Sequence, residues 1–186
     1  MRKIGNKTTT KLLNILQMQV TFLVCLAVML FVVNFIAYPI QIEGKSMDPT
    51  LHDQDFGFSS ILSLKTQGVE RFDVVIVKVD NEYWVKRVIA LPKETISCKD
   101  NQIYINGEPI QEDFLDEEYV RQEIEEHGFF TKDFSEITLK DNEVFLMGDN
   151  RVHSLDSRIV GPFDMSQLIA KDIFILWPFN HGKVVK

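Results

Sequence analysis

One stretch near the N-terminus constrains this chain more than any other, because no charged residue lies between Lys11 and Glu43. Within it, residues 20–40 (VTFLVCLAVMLFVVNFIAYPI) are almost continuously apolar, with Thr21 and Asn34 as polar exceptions. A run of about 20 apolar residues matches the hydrocarbon thickness of a bilayer. The sequence therefore predicts a transmembrane anchor over residues 20–40.

Two other structures could account for this apolar stretch. A buried core helix would normally be shorter and polar along one face. A cleavable signal peptide has an apolar region of about 7–15 residues followed by small residues at a cleavage site. Here the run is longer, and residues 35–39 (FIAYP) offer no A-x-A pattern. A retained anchor is favoured, and Pro39 suits its end because proline cannot continue a helical hydrogen-bond ladder.

Charge predicts the orientation of the chain and excludes one class of partner. Positive flanks stay on the cytoplasmic side, so residues 1–19 are expected in the cytoplasm and residues 41–186 outside the membrane. The outer part holds 16 basic and 27 acidic residues, a net charge of −11. Nucleic acid is therefore not expected as a partner, since phosphate binding needs clustered Lys and Arg. The basic residues ahead of the anchor are Arg2, Lys3, Lys7 and Lys11.

The two cysteines give no sign of a metal or a disulfide. Cys25 lies in the predicted anchor and Cys98 in the outer domain, and neither has neighbours at metal-ligand spacing. We expect no metal and no cofactor.

After the anchor, short segments rich in β-branched and aromatic residues alternate with turn signals. Residues 72–79 and 83–91 predict one antiparallel hairpin, and residues 102–105 with Asn106-Gly107 predict another. Residues 143–147 and 173–177 are further predicted strands. The pattern indicates a mainly β fold, with an antiparallel sheet and barrel-like closure favoured over a parallel sheet.

Residues 111–142 have a different composition, with acidic clusters and few basic residues. The positions of Tyr119 and Ile124 allow a short amphipathic helix around residues 116–127. We interpret the segment as an acidic, variable, solvated insertion between core strands.

A serine loop follows the anchor within a few residues, in the segment 43–51 (EGKSMDPTL). Gly44, two residues before Ser46, and the turn-forming Asp48-Pro49 after it can expose the hydroxyl beside backbone N–H groups. Most loop serines only cap a turn or face solvent, so a nucleophile and an ordinary loop serine both stay open.

Lys86 lies inside a predicted strand, in WVKRVI. Alternation puts Lys86 and Arg87 on opposite faces, each among apolar neighbours, so one of them must be desolvated unless the strand is an edge. Desolvation would lower the pKa of Lys86 and let its amine take a proton from a serine hydroxyl. The alternative, that both cations are solvated at a strand end, stays open.

A polar cluster follows the strand at residues 143–147, in residues 147–158 (MGDNRVHSLDSR). Such a turn commonly closes a sheet through an Asp–Arg network. It also contains His153 close to Asp156, so a Ser–His–Asp triad with His153 as base is the competing chemistry.

Four motifs together resemble the bacterial type I signal peptidases, specifically the small single-anchor form of Gram-positive bacteria. Their order and spacing are specific, and with the anchor the resemblance covers nearly the whole chain except the acidic insertion. It implies a membrane-bound serine endopeptidase that removes N-terminal signal peptides from exported preproteins at the outer face of the lipid bilayer. The motifs are residues 46–51 (SMDPTL), 71–75 (RFDVV), 86–92 (KRVIALP) and 148–158 (GDNRVHSLDSR).

The resemblance also implies a role for each matching residue. Ser46 is the expected nucleophile, Lys86 the expected base, and Ser154 the serine that hydrogen-bonds the lysine amine. The Ser46 backbone N–H is expected in the oxyanion hole, where some members add a hydroxyl but this chain has Gly44. The expected structural ion-pair residues are Arg87, Asp149, Asp156 and Arg158.

The chain departs from the family pattern at several positions. Phe72 and Ala90 stand where glycine is usual, Pro92-Lys93-Glu94 replaces Pro-Gly-Asp, and Trp84 stands where tyrosine is common. Two alternatives remain: a Ser–Lys peptidase of the self-cleaving repressor group, which lacks an anchor, and a membrane-tethered non-catalytic β-domain that binds exported proteins.

Overall fold

The computed structural model describes residues 5–186. Its helices are α1 Gly5–Phe35, α2 Ile61–Gln67, α3 Glu117–His127 and α4 Ser157–Val160, with 3₁₀ turns at Met165–Gln167 and Phe179–His181. Its strands are β1 Ala37–Gln41, β2 Phe56–Ser60, β3 Val74–Val79, β4 Glu82–Ala90, β5 Thr95–Lys99, β6 Gln102–Ile105, β7 Glu108–Pro109, β8 Phe134–Thr138, β9 Glu143–Met147, β10 Phe163–Asp164, β11 Leu168–Trp177 and β12 Val184–Val185.

The strands form two antiparallel sheets. The larger sheet has the order β1-β2-β11-β3-β4-β9-β10 with β12 beside β11, and the smaller has the order β7-β6-β5-β8. Ile89 and Phe145 of the larger sheet join Ile96 and Ile103 of the smaller sheet in one buried cluster. The predicted mainly β, antiparallel fold is confirmed.

The larger sheet bends strongly, so that strands far apart in its order meet. Three strands separate β1 from β4, which would place them about 19 Å apart in a flat sheet. The rings of Tyr38 on β1 and Tyr83 on β4 nevertheless have centroids 5.5 Å apart. In the hydrogen-bonded order β1 and β10 remain the two ends, so the sheet bends without closing into a barrel, and its concave side forms a cleft.

Both predicted hairpins are confirmed. Strands β3 and β4 pair with Val75 opposite Lys86, and β6 and β7 pair across Asn106-Gly107. Asn106 and Gly107 both have positive φ, 52° and 83°, which is the combination that a tight type I′ hairpin turn requires.

Helix α1 is one long apolar helix that ends before the expected anchor does. The segment long and apolar enough to cross a membrane is Thr10–Val33, with a mean hydropathy of 2.4 and none of it buried in the protein. Residues 37–40, expected inside the anchor, instead belong to β1. Pro39 is tolerated there because β1 is an edge strand, where a missing N–H leaves no ladder bond broken.

The acidic segment at residues 111–142 is more closely integrated than an insertion needs to be. Asp116 caps α3 by accepting a hydrogen bond from the Tyr119 N–H, so the helix allowed by the sequence is confirmed. Strand β8 pairs with β5, and Phe130 is buried. Part of this segment therefore completes the second sheet.

Two departures from the family pattern occupy backbone conformations that favour glycine. Phe72 has a φ of 73° and Lys93 a φ of 70°, and each costs about 1 kcal/mol in a residue with a side chain. The Phe72 ring packs on Phe114 at 5.1 Å, and its carbonyl accepts a hydrogen bond from Arg87. The turn at Phe72 is thus retained without glycine.

Candidate active site

Ser46 lies on a loop that the protein fixes at both ends. The Ile42 N–H donates to the Asp55 carbonyl at 2.8 Å, and the Gln54 N–H donates to the Ile42 carbonyl at 2.9 Å. The side chains of Met47 and Leu51 are buried and anchor the loop to the core. The hydroxyl is therefore carried by a rigid support.

Asn150 holds the same loop from the far end of the chain. Its backbone N–H donates to the Ser46 carbonyl, and its side-chain amide donates to the Lys45 carbonyl, each at 3.1 Å. No role for Asn150 is predicted from the sequence. No local pattern could have revealed it, because its partners lie more than 100 residues away and the contact exists only after folding.

Gly148 allows β9 to end directly against the Ser46 loop. A Cβ at this position would overlap the Ser154 hydroxyl oxygen and the Ser46 carbonyl oxygen. The Gly148 N–H donates to Asp156 at 3.0 Å. Gly148 is a second residue without a role predicted from the sequence, because its importance depends on the close approach of three segments.

Lys86 reaches the Ser46 hydroxyl from β4. Its side-chain nitrogen lies 2.7 Å from Ser46 Oγ and 3.1 Å from the Val85 carbonyl oxygen. The side chain is 4% exposed, and among the described residues it has no ion-pair partner. A lysine amine and a serine hydroxyl that are 40 residues apart in sequence are thus in direct contact.

The surroundings of Lys86 disfavour its charged form. Burial lowers the pKa of Lys86 from 10.5 to about 8, although the negative charges on Asp156 and Asp149 oppose the shift. A substantial fraction of the amine is therefore unprotonated in mildly alkaline solution, in the state that can accept a proton.

Two Asp–Arg pairs lie near the loop, one fully buried and one partly buried. Arg87 forms a bidentate salt bridge with Asp149, with N–O distances of 2.9 and 2.7 Å. Arg158 forms a similar contact with Asp156, at 2.8 and 2.7 Å. Burial by itself raises the pKa of the Asp156 carboxyl, but the hydrogen bonds from Arg158 bring the pKa below its usual range. The four residues expected as ion pairs are therefore brought together in pairs.

Ser154 is buried beside the Ser46 backbone, close to Gly148. The hydrogen bonds of the Lys86 amine go to Ser46 and Val85, and none goes to the Ser154 hydroxyl, which instead lies near enough to the Asp156 carboxylate to help lower its pKa. The expected hydrogen bond between Ser154 and Lys86 therefore stays a prediction.

His153 is not arranged as a member of a triad. Its ring packs edge-on against the ring of His127, with centroids 5.5 Å apart. Asp156, the carboxylate expected to orient it, is engaged by Arg158 and the Gly148 N–H. In the described part of the chain, Lys86 rather than a histidine contacts the Ser46 hydroxyl.

A cleft of about 720 Å³ opens at Ser46 and Lys86. One wall is β1 with the residues that follow it, and the other is the first half of β4. Strand β9 pairs with β4 only from Arg87 onward, and β1 pairs only with β2, so both walls present strand edges that the described residues leave unpaired.

Comparison with known proteins identifies the class to which this fold and site belong. The family described as Signal peptidase, peptidase S26, matches residues 15–177, and the chain belongs to this family. The resemblance inferred from the four motifs is confirmed.

Individual relatives match over most of their length. Signal peptidase I S of Bacillus subtilis strain 168 is 33% identical over 176 residues, covering 94% of this chain and 96% of the relative. Signal peptidase IB of Staphylococcus aureus strain COL is 33% identical over 177 residues, covering 91% and 93%. The crystal structure of a signal peptidase I from Enterococcus faecalis V583 has a TM-score of 0.50 and 29% identity, covering 55% of this chain and 95% of that one.

Proposed function

We propose that this chain is a serine endopeptidase that removes N-terminal signal peptides from exported preproteins, with Ser46 as nucleophile and Lys86 as general base. The observation that carries the mechanism is the 2.7 Å contact between Lys86 Nζ and Ser46 Oγ at the cleft, with Lys86 itself buried. Family membership supports the reaction and the substrate class.

In this mechanism the neutral Lys86 amine accepts the hydroxyl proton as Ser46 Oγ attacks the scissile carbonyl carbon. The resulting ammonium gives that proton to the leaving amine when the tetrahedral intermediate collapses to an acyl-enzyme. The same amine then takes a proton from water, which attacks the ester and releases Ser46. One group with a pKa about 8 serves both steps, as base and as acid.

The oxyanion hole relies on backbone in this proposal. The Ser46 N–H donates to no acceptor among the described residues, so it is free to stabilise the developing oxyanion. Gly44 has a φ of 86° and contributes no hydroxyl. A serine at this position would have to adopt a left-handed backbone conformation, which is unfavourable for any residue with a side chain.

An extended peptide fits the cleft better than a folded one. The free edge of β1 and the edge of the first half of β4 that faces away from β3 present backbone N–H and C=O groups to the same space. A substrate strand lying between them would gain backbone hydrogen bonds on both sides. This mode of binding would bring its scissile bond to the end of the cleft, where Ser46 and Lys86 lie.

Helix α1 would anchor the enzyme in the lipid bilayer. The 24 residues of Thr10–Val33 are about 36 Å long as a helix, enough to cross the hydrocarbon core. The basic N-terminus would remain in the cytoplasm and the acidic β domain would lie outside, with no role for nucleic acid. Ser46 follows the end of α1 by only eleven residues, so cleavage would take place close to the membrane.

The test is cleavage of a purified preprotein by the full chain in detergent micelles. Ser46→Ala, Lys86→Ala and Lys86→Arg should each reduce kcat/KM by about 10⁴-fold or more. Lys86→Arg is the sharpest of these, because it keeps a cation that cannot lose its proton. His153→Ala should retain most activity.

Normal processing by Ser46→Ala would contradict the assignment of Ser46 as nucleophile. Normal processing by Lys86→Arg would contradict the assignment of Lys86 as base. Loss of activity in His153→Ala, with its folding intact, would restore the histidine triad.

A further inference from the structure

Three side chains of the kind that bind transition metals meet outside the Ser46–Lys86 pair. Glu123 and His127 come from α3, and His153 comes from the loop that follows Asn150. Their potential ligand atoms all lie within 4.8 Å of one another. None of the three has a part in the proposed peptide cleavage.

The spacing within this cluster suits one small ion. Glu123 and His127 are one helical turn apart and share a face of α3. His127 Nε2 lies 3.6 Å from Glu123 Oε2. Two ligands of a tetrahedral Zn²⁺ ion, each at roughly 2.1 Å from the metal, are about 3.4 Å apart. Small rotations of the side chains would therefore bring both to bonding distance.

One oxygen of the Glu123 carboxylate lacks a hydrogen bond, although Tyr119 and His127 both lie near the carboxylate. Its Oε2 atom is buried and accepts no hydrogen bond from any described residue, whereas Glu126 on the same helix has a side chain that is 75% exposed. A buried carboxylate oxygen without a partner is unfavourable. An ion held between Glu123 and the two imidazoles would supply the missing interaction.

The third ligand connects the cluster to the candidate active site. The His153 N–H donates to the side-chain oxygen of Asn150 at 3.2 Å, and Asn150 in turn holds the Ser46 loop. His153 also lines the cleft. An ion at this position would join α3, which the structure otherwise leaves without a buried residue, to the loop that supports Ser46.

We propose that Glu123, His127 and His153 bind one divalent transition-metal ion, Zn²⁺ in preference to Mg²⁺, which ties α3 to the loop that positions Ser46. Two imidazoles and one carboxylate form a ligand set that suits Zn²⁺, while Mg²⁺ prefers oxygen ligands alone. Water would complete the coordination. No step of the proposed Ser46–Lys86 mechanism takes place on this ion.

The experiment uses the untagged full chain in detergent micelles, freed of metal with a chelator and titrated calorimetrically with ZnCl₂ and MgCl₂. One Zn²⁺ per chain should bind with micromolar affinity or better and raise the unfolding temperature, while Mg²⁺ should do neither. Glu123→Gln, His127→Gln and His153→Gln should each weaken Zn²⁺ binding by about tenfold or more.

Two matched variants serve as controls. Glu126→Gln changes the exposed carboxylate next to the cluster, and His52→Gln changes the other close histidine pair, in which the rings of His52 and His181 are 4.9 Å apart. Both should bind Zn²⁺ like the wild type. A tetrahedral visible spectrum of the Co²⁺-loaded wild type would support the ligand set without any variant.

Three results would overturn the proposal. They are no Zn²⁺ binding by the wild type, binding that survives His127→Gln and His153→Gln, and binding that is lost in His52→Gln.

Discussion

Lys86 and Arg87 are consecutive residues on β4 and almost equally buried, at 4% and 3% exposure, but their surroundings differ. The guanidinium of Arg87 has a counter-charge and further partners. It contacts both oxygens of Asp149, donates to the Phe72 carbonyl and lies 4.0 Å above the Phe114 ring. Among the described residues, Lys86 hydrogen-bonds one hydroxyl and one backbone carbonyl, and its nitrogen lies 5.8 Å from the centre of the Trp84 ring. The two faces of one strand thus separate a cation that must keep its charge from one that can lose it.

The difference follows from the chemistry of the two side chains. A guanidinium stays protonated at any ordinary pH, so burying it requires a buried counter-charge. An amine can instead lose its proton, and burial lowers the pKa of Lys86 to about 8. A shift from 10.5 to about 8 corresponds to about 3 kcal/mol of destabilisation of the charged form. Burial of Lys86 therefore destabilises the folded protein, whereas the pairing of Arg87 with Asp149 stabilises it.

Removing the counter-charge of Arg87 should have the larger effect on the free energy of unfolding. Asp149→Asn leaves the Arg87 guanidinium buried without its counter-charge, which should lower the free energy of unfolding by about 3–5 kcal/mol. Thermal unfolding of the full chain, followed by the fluorescence of Trp84 and Trp177, measures this. Glu118→Gln is the matched control, since Glu118 and Arg121 form an exposed pair and its loss should leave the transition in place. An unchanged transition in Asp149→Asn would show that the pair is not a structural requirement.

Replacing Lys86 with an apolar residue should change the free energy of unfolding in the opposite direction. Lys86→Met keeps the volume and relieves the cost of burying a charged amine, so it should stabilise the inactive chain by about 1–3 kcal/mol at pH 7. The folded-state pKa of Lys86 is lowered, so the wild type bears the full cost below pH 8. The gain should fade as pH rises from about 8 towards 10.5.

Lys171→Met is the matched comparison for that variant. Lys171 is also buried but contacts Asp73 at 2.9 Å, so its replacement should destabilise by leaving a buried carboxylate unpaired. Unfolding temperatures of both variants at pH 7 and pH 10 measure the contrast. A destabilised Lys86→Met chain would mean that the amine is better accommodated than its contacts indicate.

Ser154→Ala should have the smallest effect of the series. If the Ser154 hydroxyl hydrogen-bonds the Lys86 amine during the reaction, its loss should lower kcat by about tenfold, the value of one hydrogen bond, with KM unchanged. Steady-state kinetics on the same preprotein measure both constants. An unchanged kcat would leave Ser154 as a packing residue beside Gly148.

Local patterns predicted much of the fold, because they record local physics. The two hairpins and α3 follow from turn residues, alternation and an Asp cap within a few positions of one another. The anchor was expected to end at residue 40, but the helix ends at Phe35 because β2 and β1 pair. Hydropathy alone does not distinguish an apolar edge strand from the end of an apolar helix.

The candidate site was only partly predictable. Alternation on β4 required one of Lys86 and Arg87 to be desolvated, and the structure buries both. The Ser46 loop lies against Lys86 on one face, and Asp149 and Phe114 lie against Arg87 on the other. The contact of Asn150 with Ser46 and the meeting of β1 with β4 arise from the bending of the sheet. No periodicity in one segment encodes a contact with another segment 100 residues away.

The central claim, that the neutral Lys86 amine is the base, is tested most directly by the pH dependence of kcat/KM. Between pH 6 and 10, kcat/KM of the wild type should rise about tenfold per pH unit at first and level off above a pKa of about 8. His153→Ala should show the same profile. A rate that does not change with pH, or a rise centred near 6.5 that disappears in His153→Ala, would contradict a lysine base.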